Sequence, residues 1–237
     1  MQNYQHFAAF YDTLMGDRKR ATDQLLDFVE KYPPNATKVL ELACGTGSVL
    51  QHFGKRFELY GLDRSGKMLA IARKKVPRAK LSRQDIVSYR LPGEFDLIFC
   101  VYDSINHIMS FSDWERTFAN AHKHLAQGGI FIFDINTQKR LARHTAQPAW
   151  FHPMGADFFV IKVSDAGRGV SNWNIKVFKH TKRNQYVLRE ENIKEISFPK
   201  EKIIDALKAH FRGVKVIDSN PDHRETKAER LYFICRK

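Results

Sequence analysis

Between Lys38 and Leu50 the chain reads Lys-Val-Leu-Glu-Leu-Ala-Cys-Gly-Thr-Gly-Ser-Val-Leu, a short apolar run that breaks at two glycines and then resumes. This pattern predicts a buried strand, a turn, and a helix over 48–53. Gly45 and Gly47 are what such a turn needs if backbone is to pass close to a ligand, because a Cβ at either position would intrude. Glu41 is unusual in a buried strand, where an unpaired charge is costly; a cationic or hydroxyl-bearing ligand would offset that cost. The third glycine of the dinucleotide fingerprint is missing, with Val49-Leu50 following instead, so NAD is not indicated. Taken alone, the glycine pair is equally compatible with a plain strand-to-helix turn.

The following segments repeat the theme. Residues 57–63 (Phe-Glu-Leu-Tyr-Gly-Leu-Asp) read as a second strand ending in Asp63, about 20 residues past the glycines, where a ribose is usually held. A carboxylate there can accept from both ribose hydroxyls. Asp63 could instead cap the next helix, a role that Ser65 can also fill. Residues 79–83 form a weak third strand, followed by Gln84-Asp85-Ile86; an aspartate there is more often a cap or turn former. Residues 95–101 (Phe-Asp-Leu-Ile-Phe-Cys-Val) are nearly all apolar, as a central parallel strand covered on both faces requires. They run into Tyr102-Asp103-Ser104-Ile105-Asn106-His107-Ile108, and polar residues crowding a strand end point to a crevice at the carboxyl edge of a sheet. A helix over 114–125, a tight turn at Gln127-Gly128-Gly129 and a fifth strand over 130–134, ending at Ile135-Asn136, complete an α/β alternation. The expected fold is a Rossmann-like, doubly wound, mostly parallel sheet.

Upstream, Tyr4, Phe7, Phe10 and Tyr11 share one face of a helix expected over 4–15. A second helix over 19–31 should end at Pro33-Pro34. Downstream the period changes to two, with strands expected over 157–163, 170–179 and 186–198. Trp173, Ile175 and Val177 alternate, as in an antiparallel sheet with one covered face. A helix over 200–209 and strands over 214–218 and 231–235 return to the main sheet and bring it to seven strands. The domain reading is therefore 1–148 with 199–237, interrupted by an insertion, 149–198, expected to form a lid at the sheet edge where ligands bind.

With 237 residues the chain can bury a substantial core. No stretch approaches the roughly 20 apolar residues of a membrane span, and no leader pattern opens the chain, so a cytoplasmic location is expected. Cys44, Cys100 and Cys235 are odd in number and fall in or beside strands, which argues against a disulfide framework or a thiolate zinc site. A net charge of +13 raises the question of nucleic acid. The basic excess is spread over both halves, however, and its two clusters, around Arg73-Lys74-Lys75 and Lys179-Arg183, read as a solvated helix face and a hairpin tip.

The glycine turn after Glu41, the acids at 63 and 85, the Asp-Ser-Ile-Asn-His run from 103 to 107 and the Gly-Gly pair occur in the order found in class I S-adenosylmethionine-dependent methyltransferases. The chain resembles the bacterial small-molecule members of that family over about 35–136 and 199–237. The resemblance implies S-adenosylmethionine as cofactor, held at Glu41, Ala43, Gly45 and Gly47, at Asp63, Arg64 and Met68, and at Asp85, Ile86, Val101 and Tyr102. It also implies that Tyr4 and the Tyr11-Asp12 pair belong to a segment capping the pocket. Methyl transfer chiefly requires a nucleophile held about 3–3.5 Å from the methyl and, for an amine, kept neutral, to which His107 or Tyr11 could contribute. His107 could equally be a strand-end histidine bonded to backbone. Acceptor contacts are expected from Asn106, Asn136, Trp150 and Trp173, with the Arg189-Glu190-Glu191 run as further candidates. The histidines show no ligand spacing, so no metal is expected.

The expected function is methyl transfer to an amine or hydroxyl of a small molecule, by a monomer or homodimer. Two alternatives stand: a nucleic-acid methyltransferase, and a cofactor-binding protein without turnover. Against the first, no Asn/Asp-Pro-Pro-Tyr/Phe follows the fourth strand, no proline precedes Cys100, and no aromatic-basic RNA-binding strand is present.

Overall fold

The computed structural model describes residues 7–16, 18–32, 35–183, 185–219 and 228–237. Its apolar runs become the strands β1 (Lys38–Leu42), β2 (Glu58–Asp63), β3 (Lys80–Arg83), β4 (Phe95–Cys100) and β5 (Leu125–Asn136). These pair in parallel. With β10 (Gly213–Asp218) and β11 (Arg230–Arg236) they form a seven-stranded sheet of order β10-β11-β5-β4-β1-β2-β3, in which β11 is antiparallel to both neighbours. The fold class read from the sequence is the one observed.

Alternation of side chains sends Leu40 and Leu42 to one face and Val39 to the other. On the first face the same core cluster holds Trp114 and Phe118 of α4 (Phe111–His124) and Ile203 and Leu207 of α6 (Lys200–Lys208). On the second lie Leu25 of α2 (Lys19–Lys31) and Leu69 of α3 (Gly66–Lys75). The strand order reverses between β1 and β4, and that switch point opens a crevice at their carboxyl ends.

A second sheet follows α5 (Gln138–Ala146): β6 (Trp150–Met154), β7 (Asp157–Asp165), β8 (Val170–His180) and β9 (Tyr186–Ile196), antiparallel throughout. Its covered face carries Phe159, Ile161, Ile175, Val177 and Ile193. Phe7 and Phe10 pack edge-on against Phe159 with ring centroids 5.8 and 5.7 Å away. Phe10 leads directly into α1 (Tyr11–Met15), so the N-terminal segment lies under the second sheet.

Several local expectations are corrected. The helix expected over 48–53 is a single 3-10 turn, Leu50–His52. Phe53 leaves it in extended conformation to pack on Phe57 and stack on Phe99, while Arg78 donates to the Phe53, Gly54 and Phe57 carbonyls. The Gly-Gly turn is an irregularity inside β5, whose register against β4 shifts between Phe95 and Leu97. A Cβ on Gly129 would lie 2.9 to 3.1 Å from three backbone carbonyl oxygens, so a close backbone approach sets that glycine. Helix α4 begins at Phe111, three residues early, because Ser110 caps it by accepting from the Asp113 N–H. The expected 4–15 helix is a 3-10 turn, Ala8–Phe10, followed by α1; Tyr4, Pro33 and Pro34 lie outside the described residues. Neither α5 nor β6 was expected. Helix α5 is mostly polar and buries Leu141, and β6 is an edge strand, where Pro153 is tolerated.

Gly61 faces Glu41 across the β1–β2 pairing. A Cβ there would stand 2.8 Å from Leu81 Cδ2, 2.9 Å from Cys44 Sγ and 3.0 Å from Leu50 Cδ1. Gly61→Val should therefore cost about 1–3 kcal/mol by overpacking. Urea denaturation checks this, and an unchanged midpoint would mean that the layer yields freely. Among the described residues no helix is long and apolar enough to cross a membrane.

Candidate active site

At the end of β1 the backbone takes left-handed conformations at Ala43 (φ 55°), Gly45 (φ 53°) and Gly47 (φ 74°). At the end of β4 it does so at two successive residues, Tyr102 (φ 60°) and Asp103 (φ 52°). Non-glycine residues in this region cost on the order of 1–3 kcal/mol each and gather where a ligand is gripped. Here they flank the topological switch point. A Cβ on Gly45 would meet nothing within 4 Å, so this glycine borders open space, whereas one on Gly47 would press on Val76 at 3.1 Å.

Asp63 is drawn toward the turn, accepting from the Gly45 N–H at 2.9 Å and the Ser65 N–H at 2.7 Å. Ser65 is the N-cap of α3, accepting from the Met68 N–H, so Asp63 is spared that role. Burial pushes the Asp63 carboxyl above its ordinary range, against those two backbone bonds. Glu41 is 4% exposed, and its Oε2 has no hydrogen-bond partner. Burial, reinforced by the Asp63 charge, raises its pKa well above the usual carboxylate value. Asp85 lies farther out: it accepts from the Val87 N–H at 3.0 Å and sits 3.4 Å from Arg64 Nε. Met68, Ile86 and Val101 are buried apolar residues, and the Arg18 guanidinium covers the Tyr102 ring, 3.7 Å from its centroid. An orphaned buried carboxylate oxygen, open space beside a left-handed glycine and a second carboxylate behind it fit a hydroxyl-bearing nucleoside with a cationic arm.

The N-terminal segment is fastened to this turn. The buried Thr46 hydroxyl donates to Asp12 Oδ1 at 2.6 Å, and Lys75 reaches Asp12 Oδ2 at 2.5 Å. Lys75 thus belongs to the site and not to the solvated face read for its cluster. Tyr11, half-buried, has its pKa pushed up to about 12 by burial, with carboxylates at 103, 63 and 41 adding to the shift against Arg18. It keeps its proton at neutral pH and offers a hydroxyl, not a phenolate.

At the carboxyl edge of β4 and β5 a polar network is built from distant parts of the chain. Asp134 is fully buried and accepts from the Asp103 N–H at 3.2 Å. The Arg230 guanidinium binds both Asp134 and Asp103 and donates to Asn136 Oδ1 at 3.0 Å. Burial pushes the Asp103 carboxyl up, but the Arg230 charge, with His107 behind it, outweighs that and holds it below the usual range. For Asp134, burial wins and the pKa is raised. Asn106, also fully buried, donates to the carbonyls of Asn136 (3.0 Å) and Ile196 (2.8 Å) and accepts from the Asn136 N–H. His107 Nδ1 lies 3.2 Å from the Lys194 carbonyl. These bonds staple the end of β9 onto the 3-10 turn Ser104–His107.

Trp150 and Trp173 meet edge to face with centroids 6.0 Å apart, beside His144 of α5, and the buried Trp173 Nε1 has no partner. Arg189 and Glu190 are exposed, while Glu191 accepts from the Phe7 N–H. Sequence reasoning placed Asp103 in the crevice run without a role of its own and missed Asp134, Glu195 and Arg230. One signal was available, an aspartate within the apolar run Ile130–Ile135.

Residues 39–129 match the family described as "Methyltransferase domain". YqeM of Bacillus subtilis (strain 168), which carries a provisional methyltransferase name, is 29% identical over 99% of this chain and 97% of its own. The dTDP-3-amino-3,4,6-trideoxy-alpha-D-glucopyranose N,N-dimethyltransferase of Streptomyces venezuelae is 30% identical, but over 61% of this chain and only 56% of its own length. The crystal structure of an S-adenosylmethionine-dependent methyltransferase from Clostridium acetobutylicum ATCC 824 superposes with a TM-score of 0.85 at 26% identity, covering 98% of both chains. Residues 39–129 thus carry a methyltransferase domain, and the whole chain is similar in sequence and fold to S-adenosylmethionine-dependent methyltransferases, whose cofactor the site fits.

Proposed function

We propose that this enzyme methylates an amine of a small-molecule acceptor. The observation that carries the reading is the sign of the site. In a chain of net charge +13, the carboxylates of Glu41, Asp63, Asp103, Asp134 and Glu195 gather around the crevice, and the guanidinium bound among them is that of Arg230. Such a locally acidic cleft favours a cationic acceptor and repels phosphate, whereas binding a polymer needs Lys and Arg along a phosphate track. The amino-sugar substrate named for the Streptomyces venezuelae relative is of the same chemical kind.

In this reading Glu41 and Asp63 hold the amino group and ribose hydroxyls of S-adenosylmethionine, and Asp85, Ile86 and Met68 surround its base. The bound cofactor supplies a methyl on a sulfonium. Tyr11 and His107 orient the acceptor, and Asn106 and Asn136 fix the strand ends that carry it. The second sheet, within the insertion 149–198, serves as the cover of the acceptor side, with Trp150 and Trp173 as its aromatic wall.

Calorimetry with S-adenosylhomocysteine is the first test. The wild type should bind it, and Asp63→Ala should lose about 1.5–3 kcal/mol. Labelled methyl transfer is then compared between dTDP-amino sugars and mixed RNA or DNA across a salt series. Salt-resistant, cofactor-dependent labelling of the polymer would replace this reading with the nucleic-acid alternative. Binding without transfer to any amine would favour a protein without turnover.

A further inference from the structure

Strand β9 brings a third carboxylate, Glu195, to a network in which Arg230 already serves both Asp103 and Asp134. One oxygen of Asp103, one of Glu195 and one ring nitrogen of His107 lie within 4.8 Å of one another. Sequence spacing hides this trio, because Glu195 lies in the second sheet and the other two follow β4. Asp103 is neutralised by Arg230. Glu195, only 5% exposed, has no ion-pair partner among the described residues, and its hydrogen bond is from the neutral Asn136 amide, 3.1 Å from Oε2. A buried carboxylate held by a single amide is costly unless a cation or proton arrives.

We infer that Glu195 is the base that takes the proton from the acceptor's ammonium group, with Asp103 and His107 completing the subsite that receives it. The assignment rests on the amine reading above. The balance is simple: an acceptor R–NH3+ gives one proton to the Glu195 carboxylate, leaving R–NH2 and a neutral Glu195 carboxyl. The freed nitrogen lone pair then forms the N–CH3 bond as the S–CH3 bond breaks, and the bonding pair stays on sulfur as a thioether.

Charge environment explains the choice of Glu195 over its neighbours. The groups facing it are Asp103 from the loop after β4, His107 from the 3-10 turn, Asn136 of β5, Arg140 of α5 and Arg230 of β11. Arg230 holds Asp103 acidic, which makes it a poor proton acceptor. Burial, with the Asp103 charge adding, pushes Glu195 up to about 8, against the Asn136 bond and the two arginines. A base is most effective with a pKa near the working pH.

The test uses the full chain saturated with S-adenosylhomocysteine and a matched pair of probes, dTDP-3-amino-3,6-dideoxyglucose and its 3-hydroxy counterpart. Calorimetry should show the amine bound about tenfold or more weaker by Glu195→Gln than by wild type, with the hydroxy probe and S-adenosylhomocysteine unaffected. With S-adenosylmethionine in its place, the acidic limb of the wild-type rate profile should move to higher pH in Glu195→Gln, toward the pKa of the amine itself. Equal amine binding with an unshifted profile would overturn the role of Glu195 while leaving the amine reading intact. A wild type that does not prefer the amine to the hydroxy probe would overturn both. Tight binding of Zn2+ or Mn2+ by wild type, lost in Glu195→Gln, would reassign the trio to a metal and overturn the proposal.

Discussion

Arg230→Met is expected to lower the unfolding free energy at neutral pH by about 3–5 kcal/mol, the cost typical of removing one partner from a buried ion pair. The guanidinium lies between Asp134, fully buried, and Asp103, and both carboxylates would be left facing each other without a counter-charge. The sign with pH follows from the same arrangement. Without Arg230 both carboxyls should titrate above their unfolded values, so the native state binds protons that the unfolded chain does not. Stability of the variant should then rise, relative to wild type, as pH falls toward about 4. Urea denaturation at pH 7 and pH 5 measures both. A deficit that is equally large at the two pH values would mean that lost packing, not uncompensated charge, is responsible.

Glu41→Gln should move stability and cofactor affinity in opposite directions. Glu41 is buried with an unpartnered oxygen, and its folded pKa is raised by burial and by Asp63. A carboxyl raised in the folded state is protonated there while its unfolded counterpart, near 4.3, is ionised. Stability contributed this way is complete below the unfolded pKa and is lost as pH rises through the folded one. The wild type should therefore weaken on going from pH 5 to pH 8, and the glutamine variant should not. The variant should be the more stable at pH 8, by roughly 1–3 kcal/mol for a desolvated polar group. S-adenosylhomocysteine affinity should meanwhile fall by about 1.5–3 kcal/mol, because a charged hydrogen-bond acceptor is gone. Thermal unfolding and calorimetry on the same samples decide it, and unchanged affinity would remove Glu41 from the cofactor site.

The elements legible in the sequence were those whose local pattern already matched their surroundings. Helix α2 spans Lys19–Lys31, the bounds expected for it ahead of the two prolines. The runs of β1, β2 and β4 are apolar because both faces of the sheet are covered. Where tertiary packing overrides local preference, the reading slipped. The turn after Gly47 is cut short by the demand of Phe53 for Phe57 and Phe99, and the Gly-Gly pair serves a close backbone approach inside β5.

The same division runs through the site. Glu41 and Asp63 lie on the adjacent parallel strands β1 and β2 and the glycines in the turn that leaves β1, so their spacing follows from one short strand-to-strand connection and can be read along the chain. Asp103, Asp134, Glu195 and Arg230 come from four segments up to 127 residues apart, the first, second and fourth joined by strand order and Glu195 by the seating of β9 on the Ser104–His107 turn. No local spacing encodes such a meeting.

The antiparallel strand β11 lies between β5 and β10, inside the main sheet, although it is the strand latest in sequence. A ribosome therefore delivers an interior strand after everything it must slot between. Until residues 230–236 have emerged, β5 presents an open edge to solvent or to another nascent chain, the arrangement that invites mispairing. Arg230 travels on that same strand, so Asp103 and Asp134 wait for their counter-charge until the last gap in the sheet is filled. During synthesis, then, closure of the sheet and neutralisation of the Asp103–Asp134 edge are one event, and a nascent chain stalled short of Arg230 would have neither.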